Sequence, residues 1–267
     1  MRKGRNIPLT VYALGVYLFL FTPIVVLVLF SFNDSPRNFM WRGFTLEWYP
    51  VLFKDARVLG ALWISIQVAA IAVAGSTVLG TLLGLGLARL RGGFGGGIAD
   101  TLILLPMVTP EVVMGISLLL FFALLFDAHG SILQIAISHI AFSISYVTIV
   151  VRARAVSLDP RIVEAARDLG SSPLSAFWHV TLPLLMPAVG AGAMIAFALS
   201  FDDLIITSFQ AGPGSSTLPL YIYSRIRFGV TPEINAISTI IVSVTAVIIL
   251  VAWRIGAVKP AKPQPTI

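Results

Sequence analysis

Six long apolar runs, separated by short polar segments, dominate the pattern of this sequence. A helix needs about 20 apolar residues to cross the roughly 30 Å hydrocarbon layer of a bilayer, and each run reaches that length. The predicted spans cover residues 9–32, 60–88, 98–126, 131–151, 182–208 and 235–257. The pattern therefore predicts an all-α integral membrane protein with six transmembrane helices.

Composition agrees with a bilayer as the solvent. Of the 267 residues, 57% are hydrophobic and 11% are charged, whereas about one quarter of residues are charged in soluble domains. The first run is too long for a signal-peptide core and no small-residue cleavage site follows it, so we expect an uncleaved span. We expect one membrane domain over residues 1–267, with a flexible proline-rich tail at 258–267. Cysteine is absent, which excludes disulfides and thiolate–metal sites.

The net charge of +6 could indicate a nucleic-acid partner, but its distribution favours a role in topology. With the N-terminus in the cytoplasm, 12 of the 18 lysines and arginines fall on cytoplasmic segments and 6 on external ones. Cytoplasmic flanks of membrane proteins are enriched in these residues. We therefore predict that both termini are cytoplasmic, and we expect no nucleic-acid partner.

The cytoplasmic loop 159–181 has the pattern of two short helices with a turn between them. Asp159 can cap the first helix and Gly170 suits its end. Ser171 or Ser172 can cap the second helix, with Pro173 in its first turn. Part of this loop is apolar, which is typical either of a docking element for another protein or of a helix lying on lipid.

The sequence EAARDLG at 164–170, followed by LP at 182–183, resembles the EAA loop of permease subunits of type I ABC importers. In that family the loop carries the helix that couples the permease to its ATPase. The positions that match the family pattern are Glu164, Ala165, Ala166, Gly170, Leu182 and Pro183. We call residues 159–181 the coupling loop.

Further segments resemble the second membrane subunit of spermidine/putrescine importers, and the likeness runs from about residue 10 to 255. These segments are 43–53, 105–122, 199–213 and 218–239. The resemblance implies a polyamine permease in the bacterial cytoplasmic (inner) membrane. Its implied partners are a second homologous permease, two ATP-binding cassette ATPases and a periplasmic or lipid-anchored substrate-binding protein. It implies no cofactor in this chain, because ATP and Mg bind to the ATPase subunits.

Three carboxylates lie within the predicted spans, where ionisable residues usually face a cavity and mark a transport route. Asp202 and Asp203 are adjacent in the external half of the fifth span, and Glu111 follows Pro106 and Pro110 in the third, where we expect a kink. Adjacent helical residues point about 100° apart, so we expect one aspartate to face the pathway and the other to pair with a neighbour. Asp100 is expected to be a helix-start residue.

Aromatic faces can assist a route for ammonium groups through cation–π contacts. The candidates are Trp48, Tyr146, Phe201, Tyr221 and Tyr223. For each of them, an interface belt or ordinary helix packing is the more frequent role. His129, His139 and His179 are far apart in the sequence, so we expect neither a metal site nor a catalytic dyad from them.

Several alternatives remain at this point. The same importer class also moves thiamine, ferric iron and other small solutes. An ion-coupled secondary transporter would use intramembrane carboxylates as well. An intramembrane enzyme would need a Ser–His pair or aspartates on separate helices, which the sequence does not suggest. No GxxxxGK[ST] sequence occurs, so ATP must be hydrolysed by another chain.

Overall fold

The structure is a computed structural model that describes residues 7–35, 40–90, 94–126, 130–227, 229 and 231–254. Within these ranges the helices are α1 (Ile7–Phe30), α2 (Trp48–Lys54), α3 (Ala56–Arg89), α4 (Phe94–Val108), α5 (Glu111–Phe126), α6 (Ile132–Ser157), α7 (Arg161–Asp168), α8 (Pro173–Ala176), α9 (Leu182–Phe201), α10 (Ile205–Gln210), α11 (Leu218–Ile226) and α12 (Pro232–Arg254). A π-helical turn, Phe177–Thr181, joins α8 to α9. The N-terminal basic residues, His129 and the tail 258–267 lie outside the described residues.

Each of the six predicted spans is helical over most of its described residues. Four continuous helices are long and apolar enough to cross a membrane: Leu9–Phe30, Ala56–Arg89, Ile132–Ser157 and Pro173–Phe201. The third predicted span is a bent pair of helices, and α12 occupies the sixth. The prediction of an all-α membrane protein is therefore confirmed.

The third span is broken and not merely kinked. The axes of Gly96–Val108 and Glu111–Phe126 form an angle of 105°. Pro110 has no backbone N–H and its ring disfavours helical geometry at Thr109, so α4 ends and α5 restarts after it. Pro106, in contrast, lies inside α4 without ending that helix.

The fifth span begins earlier and ends earlier than the predicted 182–208. The chain is already helical from Pro173, and α9 ends at Phe201. Residues 202–204 are not helical, and α10 restarts at Ile205. Asp202 and Asp203 therefore lie at a helix break, whereas the sequence pattern placed them within a continuous helix.

The described residues divide into two compact units. The first unit comprises Met1–Val58 and Ile222–Ile267, where α1 and α2 pack against α12. In this unit the Asn33 side chain accepts a hydrogen bond from the Arg42 N–H and donates one to the Met40 carbonyl, which orders the segment after α1.

The second unit, Leu59–Tyr221, is built around α6. Val147 and Val151 of α6 are fully buried with Ala196 of α9. Glycines of α3 permit a close approach to α6: a Cβ atom on Gly80 would lie 2.7 Å from Val147 Cβ, and one on Gly84 would lie 2.9 Å from the Thr148 carbonyl oxygen. Glycines of α3 thus permit close helix packing.

Candidate translocation and coupling sites

The break between α9 and α10 is stabilised by the Asp203 carboxylate. Its Oδ2 atom accepts hydrogen bonds from the Thr207 N–H at 2.7 Å and from the Thr207 hydroxyl at 2.8 Å. Its Oδ1 atom accepts one from the Ile206 N–H at 3.3 Å. These N–H groups belong to the first turn of α10 and have no partner within that helix. Asp203 therefore caps α10 from the break.

His139 on α6 contacts both sides of the same break. Its Nδ1 atom lies 2.8 Å from the Ser200 hydroxyl at the end of α9. Its Nε2 atom lies 3.2 Å from Asp203 Oδ2 and 3.1 Å from Thr207 Oγ1. The carboxylate can only accept, so Nε2 carries a proton and donates it. His139 and Asp203 are 64 positions apart, so no local pattern pairs them, and His139 was missed as a site residue.

The two adjacent aspartates occupy different environments. The side chain of Asp203 is 7% exposed and fully engaged in hydrogen bonds. Asp202 is exposed, and its carboxylate has no hydrogen-bond partner among the described residues. Asp202 is also the C-cap residue of α9, and its N–H donates to the Ala198 carbonyl. The aspartate that pairs with neighbours is therefore Asp203, and the free carboxylate is Asp202.

Glu111 lies at the other helix break. It is the first residue of α5 and is exposed, so its charge faces the positive end of that helix. The two breaks belong to packed elements, because Phe209 of α10 lies against Gly115 of α5. The Gln210 side-chain amide also donates to the Gly115 carbonyl at 3.1 Å. Helices α5 and α10, each restarting after a break, are thus held together.

The predicted aromatic contributors do not form one cluster. Phe201 stacks on Phe197 directly before Asp202, with ring centroids 5.4 Å apart. Tyr146 packs against Phe142 within α6. Trp48 and Tyr223 belong to the first unit, where Trp48 donates to the Asn33 carbonyl. Tyr221 is half-buried at the end of the second unit. Within the second unit, Phe201 is the member of this set that directly precedes a carboxylate of the α9–α10 break.

The coupling loop folds as its sequence predicted. Asp159 Oδ1 accepts from the Arg161 N–H at the start of α7. Gly170 has a φ of +89°, the left-handed conformation that ends many helices at glycine. Ser172 then caps α8 by accepting from the Ser175 N–H at 3.2 Å. Local chemistry therefore accounts for both helices and for the turn between them.

The outer surface of the coupling loop is exposed and partly apolar. Glu164, Ala165, Gly170 and Pro183 are exposed, whereas Ala166 and Leu182 are half-buried. Leu169 is 89% exposed and Leu174 is 68% exposed. A cavity of about 400 Å³ lies between α7 and the ends of α3 and α6, and Glu164 is among the residues that line it. Exposed apolar patches of this kind mark interaction surfaces.

Asp100 is not a helix-start residue. It lies inside α4 and accepts hydrogen bonds from the Arg152 guanidinium of α6. The two side chains are 44% and 33% exposed, so this is a partly solvated ion pair. It ties the cytoplasmic ends of two helices that are far apart in the sequence, which the local pattern could not reveal.

Comparison with known proteins agrees with this architecture. A family model described as binding-protein-dependent transport system inner membrane component matches residues 80–258. The putrescine transport system permease protein PotI of Escherichia coli is 39% identical over 246 residues, 90% of this chain and 88% of that protein. The spermidine/putrescine transport system permease protein PotC of Escherichia coli is 37% identical over 246 residues, 92% of each chain.

Solved structures show the same fold. A bacterial alginate ABC transporter, in complex with an alginate pentasaccharide-bound periplasmic protein, superposes with a TM-score of 0.71 at 15% identity and covers 92% of this chain and 91% of that one. The MetNI methionine ABC transporter in an inward-facing conformation gives a TM-score of 0.61 at 14% identity, with 79% and 99% covered. The type I importer permease fold is therefore confirmed. The chain belongs to the family of binding-protein-dependent transport system inner membrane components, and it is a permease subunit of an ABC transporter, not an enzyme.

Proposed function

We propose that this permease forms, with a second homologous permease, the route by which polyamines such as putrescine and spermidine cross the bacterial inner membrane. The observation that carries this proposal is the exposed carboxylate of Asp202 at the α9–α10 break, which has no hydrogen-bond partner among the described residues. An unpaired carboxylate at membrane depth is costly. A cationic cargo would compensate that cost. The names of the relatives PotI and PotC support the same substrate class.

The chemistry of a polyamine matches this site. Its amines resemble that of lysine, with a pKa of about 10.4, so they are charged near neutral pH. A flexible polycation needs separated carboxylates and aromatic faces along its path. Asp202 directly follows Phe201, whose ring stacks on that of Phe197. Glu111 supplies a second exposed carboxylate on a helix that packs against α10.

The coupling loop would connect this route to ATP hydrolysis. Its exposed residues Glu164, Leu169 and Leu174 offer one charge and two apolar anchors for a cleft on an ATPase subunit. We expect two ATPases, which bind ATP and Mg, and a periplasmic or lipid-anchored protein that delivers cargo. ATP-driven closure of the ATPases would move α7 and switch the permease between inward- and outward-open states.

Uptake into liposomes tests the substrate. The chain is assembled with its partner permease, ATPases and binding protein, with ATP inside and labelled putrescine or spermidine outside. We expect ATP-dependent uptake that falls strongly in Asp202→Asn, while ATPase activity falls less. ATP turnover without polyamine uptake would contradict the substrate and direct the assay to thiamine and ferric iron.

A single substitution tests the coupling loop. Glu164→Lys should abolish uptake and ATPase copurification while the permease still inserts in the membrane. Lys54→Glu, a charge reversal at the end of α2 in the first unit, is the matched control and should leave ATPase copurification intact. Normal uptake by Glu164→Lys would remove the docking assignment.

A further inference from the structure

The imidazole of His139 is placed to control the geometry of the α9–α10 break. It is 2% exposed and comes from α6, the central helix of the second unit. One ring nitrogen contacts Ser200, in the last turn of α9, and the other contacts Asp203 and Thr207, at the start of α10. A single side chain thus connects a buried helix to both ends of the break.

Asp202 lies between these two anchored ends. Ser200 precedes it by two residues and Asp203 follows it directly, and both are held by the same imidazole. The direction of the Asp202 carboxylate therefore depends on contacts that Asp202 does not make itself. Residues 202–204 are not helical, and their backbone is joined to the two helices by the Asp202 N–H, which donates to the Ala198 carbonyl, and by the Leu204 carbonyl, which accepts from the Ser208 N–H. The contacts of Ser200 and Asp203 with His139 restrict this segment further.

We propose that His139 is a positioning residue that acts through Asp203 and keeps the Asp202 carboxylate directed toward the cargo. This inference rests on the proposed function, because it takes Asp202 as the residue that meets the cargo. Asp203 is the intermediate: its two oxygens join the His139 ring to the first turn of α10. Without the Nε2 donor, Asp203 is no longer hydrogen-bonded to His139 of α6, and the break can adopt other geometries.

Two substitutions separate the roles of the two ring nitrogens. In His139→Gln the side-chain amide nitrogen reaches the position of Nε2, so it can still donate to Asp203. In His139→Asn the shorter amide reaches only the position of Nδ1, so it can contact Ser200 but leaves Asp203 without this donor. Ser138→Ala is the matched control, because the Ser138 hydroxyl is buried on the same helix and donates only to the Gln134 carbonyl of that helix.

The geometry of the break can be measured without transport. The chain has no cysteine, so a single Asp202→Cys or Asp203→Cys substitution gives a unique thiol in this subunit. In the assembled complex, a charged methanethiosulfonate reagent should label residue 202 much faster than residue 203, as followed by the mass of this chain. His139→Asn should change the labelling rate at 202 about tenfold, the effect of losing one hydrogen bond to a charged group. His139→Gln and Ser138→Ala should retain the original rate within about twofold.

Uptake then tests whether this geometry serves the cargo. His139→Asn should raise the putrescine or spermidine concentration for half-maximal uptake about tenfold, by the same reasoning, with His139→Gln restoring most of the loss. In the Asp202→Asn background, His139→Asn should add nothing further to that concentration. A residue that merely supports folding would lower maximal uptake in both backgrounds instead.

The outcomes are distinguishable. Equal labelling at residue 202 in His139→Asn and in the parent overturns the positioning role, whatever the cargo is. If labelling depends on His139 but uptake is unaffected by Asp202→Asn, the positioning role stands and the proposed role of Asp202 fails. If His139→Asn does not assemble, Thr207→Val removes the hydroxyl from the same link, and it should shift labelling at 202 in the same direction; an unchanged rate there overturns the proposal.

Discussion

The two helix breaks of the second unit look alike but have different causes. The break between α4 and α5 follows Pro110, and it bends the chain by 105°. The break between α9 and α10 has no proline near it, since none occurs from residue 188 to residue 212. It is held by Asp203, whose carboxylate replaces the missing helical partners of Ile206 and Thr207. One break is set by backbone covalent chemistry, and the other by side-chain hydrogen bonds.

This difference matters for the carboxylate that each break exposes. Glu111 is positioned by its neighbours along the chain. Pro110 precedes it and α5 begins at it, so these two features define the backbone geometry at Glu111. Asp202 has no such local constraint and depends on Ser200, Asp203 and the distant His139. The first carboxylate is positioned by its neighbours in sequence, the second by the packing of α6 against α9 and α10.

The largest effect is expected from removing the cap of the second break. Asp203→Ala leaves the His139 ring, a hydroxyl and two N–H groups without their acceptor, so it should lower the free energy of unfolding by about 3 kcal/mol. Asp202→Ala, one residue earlier, should change it by less than about 0.5 kcal/mol. Thermal unfolding of the purified permease in detergent measures both. Equal losses of stability at the two positions would mean that the two aspartates do not differ in their structural roles.

A smaller effect is expected from removing the cause of the first break. Pro110→Ala restores a backbone N–H and removes the ring that disfavours helical geometry at Thr109. Together these changes favour a continuous helix by about 3 kcal/mol. The packing of α5 on α10 offsets part of this gain. Spin labels at Leu102 and Leu120, both exposed, report the bend, and a straight helix would separate their Cα atoms by about 27 Å.

We expect the label distance to lengthen in Pro110→Ala and to stay unchanged in Pro106→Ala, because Pro106 does not end α4. An unchanged distance in both variants would show that tertiary contacts hold this break as well. The contrast between the two breaks would then be lost.

The smallest change in stability is expected at the exposed carboxylate of the first break. Glu111→Gln removes a charge from the first turn of α5 and should lower stability by about 0.5 kcal/mol. Glu233→Gln, which removes a charge from the first turn of α12, is the matched control. If Glu111 lines the route, Glu111→Gln reduces polyamine uptake and Glu233→Gln does not; similar uptake in both variants would remove Glu111 from the pathway.

Local features of the sequence were sufficient for much of the fold. The apolar runs correctly predicted long apolar helices, because their length matches the bilayer, and among the described residues four continuous helices are long enough to cross it. The caps of the coupling loop were equally readable, since Asp159, Gly170 and Ser172 act on N–H groups or dihedral angles within a few residues. The extent of the bend at Pro110 was underestimated, although its position was correct.

The site depended on contacts that no local pattern records. Asp100 looked like a helix-start residue until its partner Arg152, 52 positions away, was brought beside it. His139 was expected to form neither a metal site nor a catalytic dyad, and its contacts with the α9–α10 break became visible only once α6 packed against that break. The distinction between Asp202 and Asp203 has the same origin.

The permease family was indicated by the resemblance of sequence motifs. The apolar helices and the caps of the coupling loop follow from the order of residues along the chain, because hydrophobic length, helix capping and glycine dihedral angles are properties of contiguous residues. Which of two identical neighbouring carboxylates stays free does not follow from that order. It depends on which donors the surrounding helices bring to each oxygen. At this break the buried donors reach Asp203 and leave Asp202 exposed.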